Sequence, residues 1–167
     1  MAVRIAVTGR PGIGKTTLCL RVYDALKDKI DIKGFITKEE RVKGIRTGFK
    51  LVDLSTGREA MLAKVGKGKT MVGKYEVLVE EFERFLEELD LSGKLVIIDE
   101  VGPMELKSQK FVSLVQKILD NEDLLFTVHY KANHPLADKI RREFRLYILD
   151  ESNRERVKDE IVRWYDS

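Results

Sequence analysis

The residues best placed to do chemistry stand in one run, Gly9-Arg10-Pro11-Gly12-Ile13-Gly14-Lys15-Thr16, followed by Thr17. Its glycines let the backbone bend so that successive N–H groups point into one cup. A helix opening near Lys15 adds its positive dipole end at the same point. Such a cup accepts a polyphosphate, with residues 9–17 as the nucleotide-binding segment. The Lys15 ammonium can span the β- and γ-phosphates, and the Thr16 hydroxyl can hold magnesium between them. Arg10 contributes backbone while its side chain is expected to face solvent. Far downstream, the apolar run 95–98 ends on Asp99-Glu100. In open α/β sheets ligands lie beyond the carboxyl ends of the parallel strands, which places these acids beside the loop. Adjacent strand residues point to opposite faces, a rule that relaxes at a strand's end, so the two acids can divide the labour. Asp99 is the candidate magnesium partner, and Glu100 the group that orients or deprotonates an attacking water. Glu105, six residues past Asp99 in the turn 101–106, reads as a turn carboxylate near the site.

The elements that must position these groups can be read in order. An apolar strand, 3–8, leads into the loop, and Leu18, Leu20, Val22, Leu26 and Ile30 mark a helix through about residue 28. Segments 34–38 and 47–53 read as strands joined at Lys43-Gly44, with a third at 59–64; together, residues 32–64 form an antiparallel meander inserted on one side. Residues 65–75, rich in Gly and Lys, read as a solvated loop with one short strand at 70–72. Phe82, Phe85, Leu86 and Leu89 recur at helical spacing, which predicts a helix over 77–89. Ser108 caps another helix with Phe111, Val112, Val115 and Ile118 buried. A buried strand follows at 124–128, then a helix opened by Pro135 that carries Lys139, Arg141 and Arg142. The last strand is 146–149. Ser152-Asn153-Arg154-Glu155 fits a capping box ahead of a final helix that buries Val157, Ile161 and Trp164.

At 167 residues, 43% hydrophobic and 35% charged, the chain is expected to form one soluble domain spanning 1–167. A net charge of +3, with lysines and arginines interspersed among acids, argues against a nucleic-acid partner. The single cysteine, Cys19, excludes an internal disulfide and suggests a reducing, cytoplasmic location. No secretory signal or membrane-spanning stretch is visible. Two histidines and one cysteine at these spacings form no zinc site, so the metal expected is the magnesium that arrives with the nucleotide. Cys19 and His129 read as structural. Scarce Asn and Gln beside abundant Lys, Arg and Glu fit a thermophilic source.

The sequence resembles the small thermostable nucleoside-triphosphatases of the phosphate-loop superfamily, related to the human cancer-related nucleoside-triphosphatase. The likeness is carried by residues 8–17, Gly34-Phe35-Ile36-Thr37 with Thr47-Gly48-Phe49, Val72-Gly73-Lys74-Tyr75, residues 98–106 and Asn153-Arg154. It implies a doubly wound, mainly parallel α/β sheet with an antiparallel hairpin insertion on one flank. It implies magnesium-dependent, slow hydrolysis of several nucleoside triphosphates with little base preference, in the cytoplasm, and a base-side or lid-side contact from Arg154.

The residues thus predict in-line attack of water on the γ-phosphate by a protein acting as a monomer. Lys131, Arg141 and Arg142 are candidates to neutralise the transition state, a role that can be worth about 10³ to 10⁵ in rate. If none reaches the site, turnover should be slow. Two other functions fit the same motifs. One is a nucleotide or small-molecule kinase, whose acceptor the hairpin could hold; the other is a nucleotide-gated binding module for protein or RNA, using the lysine-rich loop 66–74.

Overall fold

Several apolar runs carry no polar alternation, so their strands must be covered on both faces. Ile5, Ala6, Val7, Leu95 to Ile98 and Leu124 to Phe126 are all 0% exposed. The structure, a computed structural model, describes residues 2–120 and 123–166. Its elements are β1 (Arg4–Thr8), α1 (Lys15–Leu26), β2 (Ile32–Val42), β3 (Ile45–Asp53), β4 (Glu59–Val65), β5 (Met71–Val72), β6 (Tyr75–Val77), α2 (Val79–Glu87) and β7 (Leu95–Val101). A 3-10 turn (Glu105–Lys107) precedes α3 (Gln109–Ile118), β8 (Asp123–Val128), α4 (Pro135–Glu143), β9 (Arg145–Ile148) and α5 (Arg154–Tyr165).

All nine strands form one mixed sheet in the order β5-β6-β4-β3-β2-β7-β8-β1-β9. From β2 to β9 every pairing is parallel; from β2 outward through β3, β4, β6 and β5 every pairing is antiparallel. β2 therefore belongs to both halves. Period-2 alternation sends Ile5, Val7, Ile97 and Leu125 to one face, under α1 and α5, and Ala6, Val96, Ile98 and Phe126 to the other, under α2, α3 and α4. On that second face Phe35 meets Phe82, Phe85 and Phe111 edge-on at centroid distances of 6.2, 5.8 and 6.4 Å.

The α/β class with an antiparallel flank is as the sequence predicts, and three local readings are corrected. Residues 71–77 form a hairpin, β5 and β6, because Ala63 to Val65 offer an open edge that Tyr75–Val77 completes; α2 accordingly begins at Val79 rather than 77. The capping box does not form. The Asp150 carboxylate accepts from Ser152 N, Ser152 Oγ and Asn153 N, so the Ser152 hydroxyl does not turn to accept from the N–H groups of the helix. Asn153 is the N-cap, but its side chain accepts from Asp150 N and donates to the Ile148 carbonyl instead of capping the helix, and Glu155 pairs with Arg21 at 2.7 Å. Trp164 is 39% exposed with the Arg145 guanidinium 4.2 Å from its ring, while the neighbouring Tyr165 takes the buried position and donates its hydroxyl to the Leu124 carbonyl.

One glycine sets how closely the two halves of the sheet meet. Gly34 in β2 has φ of 126°, and a Cβ there would lie 1.8 Å from the Ile97 carbonyl oxygen of β7. Gly34→Ala must therefore part the β2–β7 pairing. We expect a loss of about 3 kcal/mol or more in urea unfolding, and an unchanged midpoint would contradict this account of the pairing.

Candidate active site

The site begins where β1 and β8 end together, the Thr8 hydroxyl donating to the Val128 carbonyl at 2.8 Å. The chain then turns through Gly12 at φ 78° and Gly14 at φ 107°, and Gly14 enters α1 with no side-chain cap. The first-turn N–H groups of α1 are thereby aimed at the loop's interior rather than at a capping oxygen. Lys15 is 8% exposed, and its ammonium folds back to the Gly9 carbonyl at 3.0 Å and the Arg10 carbonyl at 3.5 Å. Next to it, the Thr16 hydroxyl donates to Asp99 Oδ2 at 2.6 Å, joining the start of α1 to β7.

Asp99 gathers groups from three other elements. Besides Thr16 it accepts from the Thr127 hydroxyl of β8 at 2.6 Å and from the Thr37 N–H of β2 at 3.3 Å. The Thr37 hydroxyl donates to the Asp99 carbonyl at 2.7 Å and lies 3.5 Å from Glu105. The register explains how both neighbouring acids reach one cavity. Ile98 pairs with Phe126 but Val101 with Val128, so β7 carries one extra residue at Asp99-Glu100. Such a bulge re-aims a side chain that strict alternation would send to the opposite face. Beyond it, Gly102 has no side chain between two carboxylates, a Cβ there lying 3.1 Å from an oxygen of Glu100 and from one of Glu105.

Crowding of acids governs the electrostatics. Burial raises the Asp99 carboxyl, against the hydrogen bonds from Thr127, Thr16 and Thr37 and the charge of Lys15. Burial and then the charge of Asp99 push Glu100 up to about 7, with Lys15 opposing. Glu105 is pushed well above the usual carboxylate range by burial and then by Glu100. A dication would relieve this crowding, and the Thr16 hydroxyl and Asp99 carboxylate are hard oxygen donors of the kind magnesium takes. His129 also lines the cavity; burial, Lys15, Lys131 and Arg141 lower its imidazole, and Nδ1 accepts from the Lys131 N–H at 3.1 Å. Cys19 is buried, its thiol pushed up by burial and the two acids, which suits a structural role.

A cavity of about 670 Å³ brings most of the sequence-derived residues together: Pro11, Gly12, Gly14, Lys15, Thr16, Thr17, Asp99 and Glu100 all line it. Gly9 and Arg10 lend it carbonyls to Lys15, while the Arg10 side chain is exposed and pairs with Glu151. Ile13 points into the core at 2% exposure, and its carbonyl accepts from Arg154 Nη1 at 3.3 Å. Arg154 thus lies against the loop at Gly14 and outside the cavity wall. Lys131, Arg141 and Arg142 do not line the cavity. Arg141 is held by Asp138 at 3.2 Å and the His129 carbonyl at 2.9 Å, and Lys131 lies over the Tyr130 ring.

Sequence reasoning missed three parts of the site. Thr127 carried a signal, a hydroxyl inside an otherwise apolar strand. Thr37 stood in a recognised run without an assigned role. In the wall, Phe49, Val72, Lys74 and Tyr75 stood in runs that carry the resemblance without an assigned role, and Arg46 and Leu62 had no signal, since these residues meet only through the antiparallel pairing. Glu105, read as a turn carboxylate near the site, is buried and lines the cavity.

Comparison with known proteins agrees with this geometry. The profile of a family described as NTPase (NTPase_1) matches residues 4–162. The nucleoside-triphosphatase THEP1 of Archaeoglobus fulgidus is 60% identical over 161 residues, covering 96% of this chain and 98% of its own. That of Methanocaldococcus jannaschii is 41% identical over 170 residues, covering 96% and 95%. Among solved structures, the crystal structure of THEP1 from the hyperthermophile Aquifex aeolicus aligns over 100% of both chains with a TM-score of 0.83 and 31% identity. The solution structure of a human cancer-related nucleoside triphosphatase aligns over 98% of this chain and 97% of its own, with a TM-score of 0.80 and 33% identity. Among the described residues no helix is long and apolar enough to cross a membrane.

The acid crowding makes a thermodynamic prediction for the metal-free protein. A carboxyl raised from 4.5 to about 7 on folding binds its proton more tightly folded than unfolded, so its stabilising contribution is full below about pH 4.5 and lost as pH rises through 7. In EDTA, the melting temperature should fall between pH 5 and 8. Glu100→Gln should flatten that fall and melt a few degrees higher at pH 8; an equally steep fall in the variant would contradict the assignment.

Proposed function

The chain belongs to the NTPase family, whose matched members are named nucleoside-triphosphatases, and from that premise we propose that it hydrolyses the terminal phosphate of ATP, GTP, CTP and UTP or TTP with little base selectivity. The carrying observation is the 2.6 Å bond from Thr16 to Asp99, beside Lys15, with Glu100 on the same cavity wall. Backbone N–H groups of residues 10–16 and the Lys15 ammonium hold the β- and γ-phosphates in this reading. Thr16 and Asp99 would hold magnesium, which when bound would supply positive charge to the phosphates. Glu100 positions the attacking water and takes its proton, a task that favours a carboxyl raised toward neutrality. Thr37 and Thr127 fix the Asp99 carboxylate, so it cannot swing away from Thr16.

Little base selectivity is supported by where the assigned contacts go: to phosphate and metal, which every nucleoside triphosphate shares. Arg154 against Gly14 is the proposed base-side contact, which directs the nucleoside out of the cup on the β9 side. With Lys131, Arg141 and Arg142 outside the cavity, Lys15 carries the transition-state charge, and turnover should be slow. A lone buried cysteine and a chain poor in Asn and Gln support a thermostable protein of the cytoplasm.

Purified protein should release phosphate from all four ribonucleoside triphosphates with magnesium present and none with EDTA. Lys15→Ala should abolish release. Glu100→Gln should bind nucleotide as the parent does and hydrolyse it about 10² to 10⁴ times more slowly. Parent-rate hydrolysis by Glu100→Gln would remove Glu100 from its role, and tight binding without release in the parent would overturn the hydrolytic reading.

A further inference from the structure

The phosphate loop and the β7 acids account for one end of the cavity, and its other end has a different chemistry. There Phe49, Leu62, Val72 and Met104 present apolar surface, which neither phosphate nor magnesium uses. The far wall is cationic. Arg46 stacks on Phe49 and Tyr75, its guanidinium carbon 5.3 and 5.8 Å from the two ring centroids. Its Nε donates to the Tyr75 hydroxyl at 2.8 Å and its Nη1 to Glu39 at 3.1 Å. Among the described residues Nη2 has no hydrogen-bond partner. Both two-pronged edges of the guanidinium run through Nη2, so with Nε and Nη1 engaged the N–H groups of Nη2 remain to donate singly to an anion. The Lys74 ammonium, 5.7 Å from the Tyr75 ring, adds a second positive charge.

Register sets the spacing between the two ends. Thr37, beside Asp99, pairs with Leu51, and Glu39 pairs with Phe49, the ring under Arg46. Two residues of extended strand separate those levels by about 7 Å. That gap separates the Phe49 and Arg46 end from the Lys15 and Thr16 end. It is about the length of one small ring. The nucleoside does not fill it under the reading given above, because Arg154 and β9 lie on the far side of β1 from the antiparallel flank. Sites of this size and mixed lining hold small organic molecules, fixed by a few well-placed polar groups.

We propose that the flank half of the cavity is a second subsite, for a small organic anion built on a ring and carrying a hydroxyl group, and that this hydroxyl can take the γ-phosphoryl group in place of water. The inference rests on the assignment of Lys15 and Glu100 above. The anion binds Arg46 and Lys74, the ring lies against Phe49, Leu62 and Met104, and the hydroxyl reaches the Glu100 end. Its oxygen bonds to the γ-phosphorus as the bond from that phosphorus to the β–γ bridging oxygen breaks. The electron pair stays on the departing diphosphate, and the hydroxyl proton passes to Glu100. The products are a nucleoside diphosphate and a phosphate monoester, and no oxidant or further reactant is needed.

The test uses whole protein saturated with Mg-ADP and three probes: 4-hydroxybenzoate, 4-hydroxyphenylacetate and 4-(hydroxymethyl)benzoate. NMR shifts of the Arg46 Nε–H and of the Phe49 and Tyr75 rings report the subsite, and loop amides of Gly12 and Thr16 report the nucleotide. At least one probe should shift the subsite signals with nucleotide in place, bind about tenfold more weakly to Arg46→Met, and bind with intermediate strength to Arg46→Lys, which keeps the charge without the fork. With Mg-ATP, phosphorus NMR should show its phosphate ester, and the ratio of transferred to released phosphate should fall about tenfold in Arg46→Met. Should Arg46→Met not fold, Arg46→Lys and benzoate analogues lacking the carboxylate carry the comparison. The subsite is overturned if no probe binds, if probes bind Arg46→Met as they bind the parent, or if Mg-ADP alone fills the ring pocket. Binding without ester overturns the transfer. Loop amides unmoved by Mg-ADP would instead sink the nucleotide assignment itself.

Discussion

Everything at the loop end of this protein turns on one buried carboxylate. Asp99 sits at 2% exposure, and it stays there because Thr16, Thr37 and Thr127 all direct donors at it. Burying an ionised group without partners is prohibitive, whereas charge-assisted bonds to it are among the stronger ones in a protein. The same atoms therefore settle two matters at once. They lock α1, β2, β7 and β8 in mutual register, and they hold a hard oxygen acceptor beside the phosphate loop.

Much of this was legible in the sequence where the chemistry is local. The phosphate loop is contiguous, its glycines mark backbone conformations that other residues avoid, and the apolar run ending at Asp99-Glu100 announces a buried strand with acids at its tip. The bulge that turns both acids into one cavity left no such mark. Nor did the far wall, since Arg46, Phe49, Leu62 and Tyr75 come from three strands whose neighbours are fixed by pairing and not by spacing. Cations were over-read for a related reason. Lys131, Arg141 and Arg142 lie near the ends of the right elements, but sequence does not show that the Asp138 carboxylate and the His129 carbonyl already occupy Arg141. At the start of α5 the Ser152 hydroxyl donates to the Asp150 carboxylate, so it does not turn to accept from the N–H groups of the helix.

The two cores explain why the site can tolerate its crowding. On one face, Phe35 of β2 is clasped by Phe82, Phe85 and Phe111, so the strand that carries Thr37 is pinned two residues away by aromatic packing. On the other, Ile5, Val7, Leu18 and Val22 fix β1 against α1 on either side of the phosphate loop. Apolar burial at roughly 25 cal/mol per Å² is the large term here. The raised carboxyls of Glu100 and Glu105 are a local cost set within it.

The order of the strands bears on what happens between molecules as well as within one. A sheet this wide would normally offer two long rows of unpaired backbone groups to any other chain, the template from which aggregates grow. Here the outermost strands are β5, two residues long, and β9, four residues long. Arg145 opens the latter, its guanidinium drawn over Trp164. The long strands β2 and β3 lie inside this order, β2 paired with β3 over Phe35–Val42 and with β7 over Ile32–Phe35. Sheet width thus builds the cavity while the short outermost strands β5 and β9 present little backbone for a neighbouring copy to zip onto, which favours colloidal stability at high protein concentration.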